Sequence, residues 1–238
     1  MNNLFFAQNK LHLRPCSIAT LVNPGWAENP DHYGIDWFGL EIHGGGQRSA
    51  AGAYSLLSQR ARIWTSTPVS AFPELNWLLN LYYDSETVDF YGAEEKFGAC
   101  IKPVRNANAT ELNYFDGELI ENAYQDGDGL NYNAVKVGSL VWVVGSLKSG
   151  KFQNGTSISR VETNSAWAAL TTPAYCHEVG VYGFLYNGYA IRTGNVVSGN
   201  GWRIPTQADF IELTNMAVAG YTTAQILKAC RQINHPLA

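Results

Sequence analysis

Gly201-Trp202-Arg203-Ile204-Pro205-Thr206-Gln207-Ala208-Asp209-Phe210-Ile211-Glu212-Leu213 marks the point where extended chain gives way to helix. Pro205 stiffens the approach, Thr206 offers an N-cap hydroxyl, and Asp209 stands three residues later as a variant of the capping box. Phe210 and Leu213 then supply the first buried turn, so a helix capped by Thr206 is expected. It reads as the opening helix of a domain, yet 25 residues follow Leu213, too few to finish one. The missing parts are expected upstream or in another molecule.

Downstream, Thr222-Thr223-Ala224-Gln225 repeats the capping pattern and predicts a second helix from about Thr223. Upstream, Trp167, Leu170, Tyr182, Leu185, Tyr186 and Tyr189 are spaced as anchors of a loop-rich core. Gln153-Asn154-Gly155-Thr156 reads as a turn. From Tyr132 a hairpin is predicted: Val135 and Val137 alternate with polar residues, Gly138-Ser139 turns, and Leu140 to Val144 returns. Residues 106–130 carry the Asn, Asp and Gly punctuation of a linker. Asp126-Gly127-Asp128-Gly129 lacks the spaced ligands of a calcium loop and reads as a turn.

Further upstream, Ala61 to Pro68 reads as a strand, followed by Leu75 to Tyr83 and Thr87 to Tyr91. Phe97 to Val104 is expected to close a unit of three antiparallel strands with polar outer faces. In the second strand Asn80, Tyr82 and Asp84 share one parity, and Leu79, Leu81 and Tyr83 the other. Gly39 to His43 alternates weakly before Gly44-Gly45-Gly46, a triplet that lets backbones approach closely and lacks the Lys-Ser/Thr of a phosphate cradle. Residues 1–35 read as loop with one short helix near Ser17–Val22.

A chain of 238 residues can bury a substantial core without being forced into two domains. A net charge of −4 and the lack of any Lys/Arg run argue against nucleic acid. Charged residues make up only 15%, which suits extracellular or virion proteins better than an ordinary cytosolic enzyme. Cys16, Cys100, Cys176 and Cys230 show no metal spacing and are read as structural thiols, and His12, His32, His43, His177 and His235 are scattered. No metal or cofactor is expected. The N-terminus has no basic region ahead of its four-residue apolar run, so neither a signal peptide nor membrane insertion is expected.

Five ordered motifs from Tyr132 to Leu213 resemble the Fibrobacter succinogenes major paralogous domain, common in Bacteroidetes and their phages. They are Val141-Trp142, Lys151-Phe-Gln-Asn-Gly-Thr156, Trp167-Ala-Ala-Leu-Thr-Thr-Pro-Ala-Tyr-Cys176, Tyr182-Gly-Phe-Leu-Tyr-Asn-Gly-Tyr-Ala190 and Gly201-Trp-Arg-Ile-Pro-Thr206. The rest of the family pattern resembles earlier residues: Gly39 to Arg48, where Gly44 replaces the family's proline, then Trp64-Thr-Ser-Thr67 and Gly98-Ala-Cys-Ile-Lys-Pro-Val-Arg105.

The resemblance implies an α+β, loop-rich, C-type-lectin-like fold with an antiparallel sheet and two helices. Its halves come in reversed order: residues 1–105 correspond to the C-terminal half, 106–130 to a linker and 131–238 to the N-terminal half, together one composite domain. The chain is then either circularly permuted or completed by half-domain exchange with a neighbour.

Relatives of this kind bind rather than catalyse. The resemblance implies a non-enzymatic phage virion component, a tail or head fibre or adhesin. Its partners would be other virion proteins or copies of itself, and a host-surface glycan or protein. The alternative is a secreted or surface-anchored bacterial glycan-binding protein, extracellular or on the cell surface. Carried over by position, the ligand face falls on Trp64, Thr67, Asn76, Asn80, Tyr82 and Asp84. The alternative for Trp64 and Tyr82 is that they are core anchors, since aromatics in strands are more often packed than exposed. The fold is shared with formylglycine-generating oxidases, which need a reactive cysteine pair, and no cysteine stands near Cys100 in sequence. No catalytic activity is expected.

Overall fold

The computed structural model describes residues 25–177 and 182–229, so the helix expected near Ser17–Val22 lies outside the described residues. The strands of the first half are β1 (Gly45–Arg48), β2 (Tyr54–Leu57), β3 (Arg60–Val69), β4 (Phe72–Tyr82), β5 (Val88–Ala93), β6 (Gly98–Ala99) and β7 (Val104–Asn106). Those of the second half are β8 (Leu119–Gln125), β9 (Asn131–Val137), β10 (Leu140–Val143), β11 (Ser159–Arg160), β12 (Ala174–Cys176) and β13 (Leu185–Asn187). Four helices accompany them: α1 (Asn164–Ala168), α2 (Gly188–Arg192), α3 (Gln207–Thr214) and α4 (Thr223–Leu227). The class is α+β, with short helices set on two sheets.

Both expected caps form. Thr206 Oγ1 accepts from Asp209 N while Asp209 Oδ2 accepts from Thr206 N, and Thr222 and Gln225 repeat this at α4. Asp209 also holds the guanidinium of Arg203 in a bidentate pair, so the cap is tied to the extended segment before it. Phe210 and Leu213 are buried as the sequence predicts, and Phe210 packs its ring 5.1 Å from Trp142 of β10.

One sheet has nine strands in the order β11-β12-β13-β6-β1-β3-β4-β5, with β2 added to β1; the other has the order β7-β10-β9-β8. The β1–β3 and β11–β12 pairs are parallel, so the larger sheet is mixed rather than purely antiparallel. The β9–β10 hairpin turns at Gly138-Ser139 as expected, with Val137 opposite Leu140. Two expectations are corrected. Residues 106–130 are no mere linker, because β8 pairs with β9 along most of its length, and Arg105 binds Glu111 in the turn between. The segment after Phe97 does not close on β5; β6 pairs with β1 and β13, and Cys100 bridges Ile63. Pro103, which cannot donate, marks where this strand leaves one sheet and enters the other.

The two halves of the chain thus share both sheets. They share apolar interiors as well: Trp64 and Leu78 pack with Val141, Tyr186 and Ile204, and Ile63 and Leu81 with Val135, Trp142 and Phe210. Lys102, 1% exposed, pins the junction by donating Nζ to the carbonyls of Leu40 (2.6 Å), Val143 (2.7 Å) and Gly145 (2.9 Å). The glycine triplet serves close approach, since a Cβ at Gly44 would lie 2.8 Å from the Gly25 carbonyl.

The cap generates a prediction. Although burial opposes it, the Arg203 pair and the Thr206 donors hold the Asp209 carboxyl below its usual range. A depressed folded value stabilises the protein above the unfolded value near 3.8, and that contribution fades as pH falls below it. Asp209→Asn is expected to cost about 2–3 kcal/mol at neutral pH and to flatten the acid limb of stability, measured by urea unfolding from pH 7 to 3.

Candidate functional site

Register decides which side chains share a face of the β3–β4–β5 sheet. Arg60 opposes Tyr82, Arg62 opposes Asn80 and Trp64 opposes Leu78; across the next ladder Asn80 opposes Asp89 and Leu78 opposes Tyr91. One face therefore carries Arg60, Arg62, Asn80, Tyr82, Asp89 and Tyr91 at one end, and Trp64 and Leu78, which are buried in core, at the other. The other carries Ala61, Ile63, Leu79 and Leu81, which enter the core. This is the parity split read from Asn80/Tyr82 against Leu79/Leu81.

Asp89 is the centre of the polar face. Its Oδ1 accepts from Asn80 Nδ2 at 2.9 Å and its Oδ2 from Tyr82 Oη at 2.9 Å. The Arg60 guanidinium lies 4.6 Å from the Tyr82 ring centroid. That of Arg62 lies 4.6 Å from Tyr91 and 5.1 Å from Phe97. Arg62 and Asn80 form a buried floor, while Tyr91 stands 45% exposed above it. Arg62 Nε and Asn80 Oδ1 are buried without a protein partner.

Burial, reinforced by Arg60, pushes Arg62 below its ordinary value, while Tyr91, Tyr82 and Asp89 oppose it. Burial and the bond to Asp89 raise the Tyr82 phenol, so it stays a donor. The face presents aromatic rings, two cations and one carboxylate in fixed positions, a set suited to stacking and hydrogen bonding.

The structure separates the six residues singled out by position. Trp64 is fully buried, with Nε1 donating to the Tyr186 carbonyl at 2.8 Å, so it is a core anchor and leaves the ligand face. Asn76 leaves it too: 6% exposed, it donates to the Thr65 carbonyl. Thr67 is half-buried, and its hydroxyl accepts from Gln207 N at the start of α3. Asn80 and Tyr82 come together through Asp89, and Asp84 is exposed in the β4–β5 turn. Arg60, Arg62, Asp89 and Tyr91 complete the face and were missed, although each pair sits at the two-residue spacing that places strand neighbours on one side.

Cys100 and Cys176 enter one small apolar cluster with Trp167, Ala174 and Leu185, an approach that chain distance concealed. Register sets them on strands separated by β13, about 10 Å apart between backbones, beyond the reach of a disulfide. Burial pushes both thiols up, Cys100 to about 12. Among the described residues no group of three or more His, Cys, Asp or Glu could hold a metal ion, and no helix is long and apolar enough to cross a membrane.

Residues 135–233 match the family model of the Fibrobacter succinogenes major domain. That segment belongs to this family. The Fibrobacter domain segment begins in β9, ahead of the hairpin, and takes in β10 to β13 and all four helices, while the β3–β4–β5 face precedes it in the chain. Neither the curated proteins nor the solved structures include a match to this chain.

Asp89→Ala removes the acceptor of both Asn80 and Tyr82. It is expected to lower stability by about 1–2 kcal/mol in urea unfolding, whereas the exposed Asp84→Ala is expected to change it by less than about 0.5 kcal/mol.

Proposed function

We propose that this chain is a non-enzymatic virion component, part of a phage tail or head fibre, that binds a host-surface glycan or protein through the β3–β4–β5 face. The observation that carries the reading is the Asp89-centred network. The Arg60 guanidinium, the Asp89 carboxylate and the Tyr82 and Tyr91 phenols are held over a buried floor of Arg62 and Asn80, on a sheet whose reverse side is core. Aromatic rings fixed in this way lose little side-chain freedom on binding. Burial, which keeps the Cys100 and Cys176 thiols protonated, favours binding over thiol catalysis.

The fold in this reading is C-type-lectin-like and circularly permuted, with residues 131–238 preceding 1–105 in the family's order. It is supported by the pairing of β6 with β13 and the bridge between Val104 and Arg203, which join the two halves inside one molecule. Half-domain exchange would impose an association cost that these intramolecular pairs avoid. Light scattering of the purified chain is expected to give a monomer. A dimer or open polymer that dissociates only on unfolding would sink permutation in favour of exchange.

The face is tested with Tyr82→Ala/Tyr91→Ala. Retention of the labelled protein on intact Bacteroidetes cells is expected to fall about tenfold or more with the fold preserved by circular dichroism. Equal retention of parent and variant would remove the face from the proposal.

A further inference from the structure

A cavity of about 460 Å³ opens where β7 meets the Gly201-Trp202-Arg203 turn, away from the β3–β4–β5 face. Its walls are Arg105, Asn106, Asn108, Asn200, Trp202 and Arg203. They come from stretches about a hundred residues apart and are held together by the Val104–Arg203 bridge, with backbone bonds of 3.0 and 2.9 Å. The volume lies in the range of sites that enclose small organic ligands.

Both arginines are held in place before any ligand arrives. Arg105 donates two bonds of 2.6 Å to Glu111, and Arg203 makes its bidentate pair with Asp209. Each guanidinium charge is cancelled by its carboxylate, so the cavity has little reason to select an anion. The Arg105 guanidinium also lies 5.1 Å from the Trp202 ring, whose other neighbour is Tyr124 at 5.2 Å. The indole is thereby fixed, and only 6% of Trp202 is exposed.

The rim is made of carboxamides. Asn106, Asn108 and Asn200 are all exposed. Asn108 Oδ1 is already used by Thr110 N and Glu111 N, which orients that amide. A carboxamide both donates and accepts, as does a sugar hydroxyl, so neutral amides at the rim of a charge-balanced cavity match a polyhydroxylated ligand. We propose that this cavity binds one neutral saccharide unit, its hydroxyls hydrogen-bonded to Asn106 and Asn200 and its edge against the small part of Trp202 that lines the cavity. This site is separate from the β3–β4–β5 face and stands without it.

Ligand-observed NMR on the full chain tests this, with glucose, galactose, mannose, N-acetylglucosamine and glucuronic acid as probes at millimolar concentration. At least one neutral sugar is expected to bind. Asn106→Ala/Asn200→Gly, with glycine keeping the left-handed backbone at position 200, is expected to weaken it about tenfold without shifting the urea midpoint, and Tyr82→Ala/Tyr91→Ala is expected to leave it unchanged. Absence of binding by every neutral sugar, preference for glucuronic acid, or unaltered affinity in the asparagine variant would each overturn the proposal. Loss of sugar binding in the tyrosine variant alone would move the saccharide to the sheet face and leave the cavity without one.

Discussion

The backbone from Gly98 to Asn106 is the constraint on which the fold depends, because its hydrogen-bonding groups are answered from both ends of the chain. Gly98 and Ala99 pair with Asn187 and Tyr186, and Cys100 exchanges bonds with Arg62 and Trp64. The Ile101 and Pro103 carbonyls accept from Leu147 and Val143, Val104 pairs with Arg203, and β7 lies along β10. A buried peptide group left without a partner costs about as much as a lost hydrogen bond, so neither half can bury this segment alone. The Lys102 ammonium works at the same place, drawing the Leu40 carbonyl and two carbonyls at the end of β10 onto one donor.

The candidate face and the cavity both follow from that central strand. On one side Arg62 is fixed by the bonds that join β3 to Cys100, so its guanidinium is presented among Tyr91 and Phe97 rather than extended into solvent. On the other side the strand ends at Arg105, beside the turn that carries Trp202 and Arg203. Each of these two arginines has its own carboxylate, which removes the repulsion that would otherwise part them.

Local signals in the sequence carried a large part of this. Thr206 with Asp209, Thr222 with Gln225, and Gly138-Ser139 act through neighbours a few residues away, and each formed the predicted cap or turn. Parity in β4 correctly divided Asn80 and Tyr82 from Leu79 and Leu81. What stayed hidden depends on tertiary choice. β8 is polar enough to pass for a linker and is a strand because β9 offers it an edge. Trp64 and Asn76 have side chains that suit a ligand as well as a core, and only the packing of Tyr186 over one and the Thr65 carbonyl beside the other decides between them.

The sharing of the Gly98–Asn106 segment also has a kinetic side. Its partners Leu185–Asn187 and Arg203 lie about a hundred positions later, so the native sheet has high contact order and is expected to assemble slowly. During synthesis β3, β4 and β5 leave the ribosome as a ready meander and β6 can join β1, but the far edge of β6 has no partner until Asn187 has been made. A nascent chain of this design spends much of its translation with an unfinished sheet, its open edge exposed to pairing with other chains.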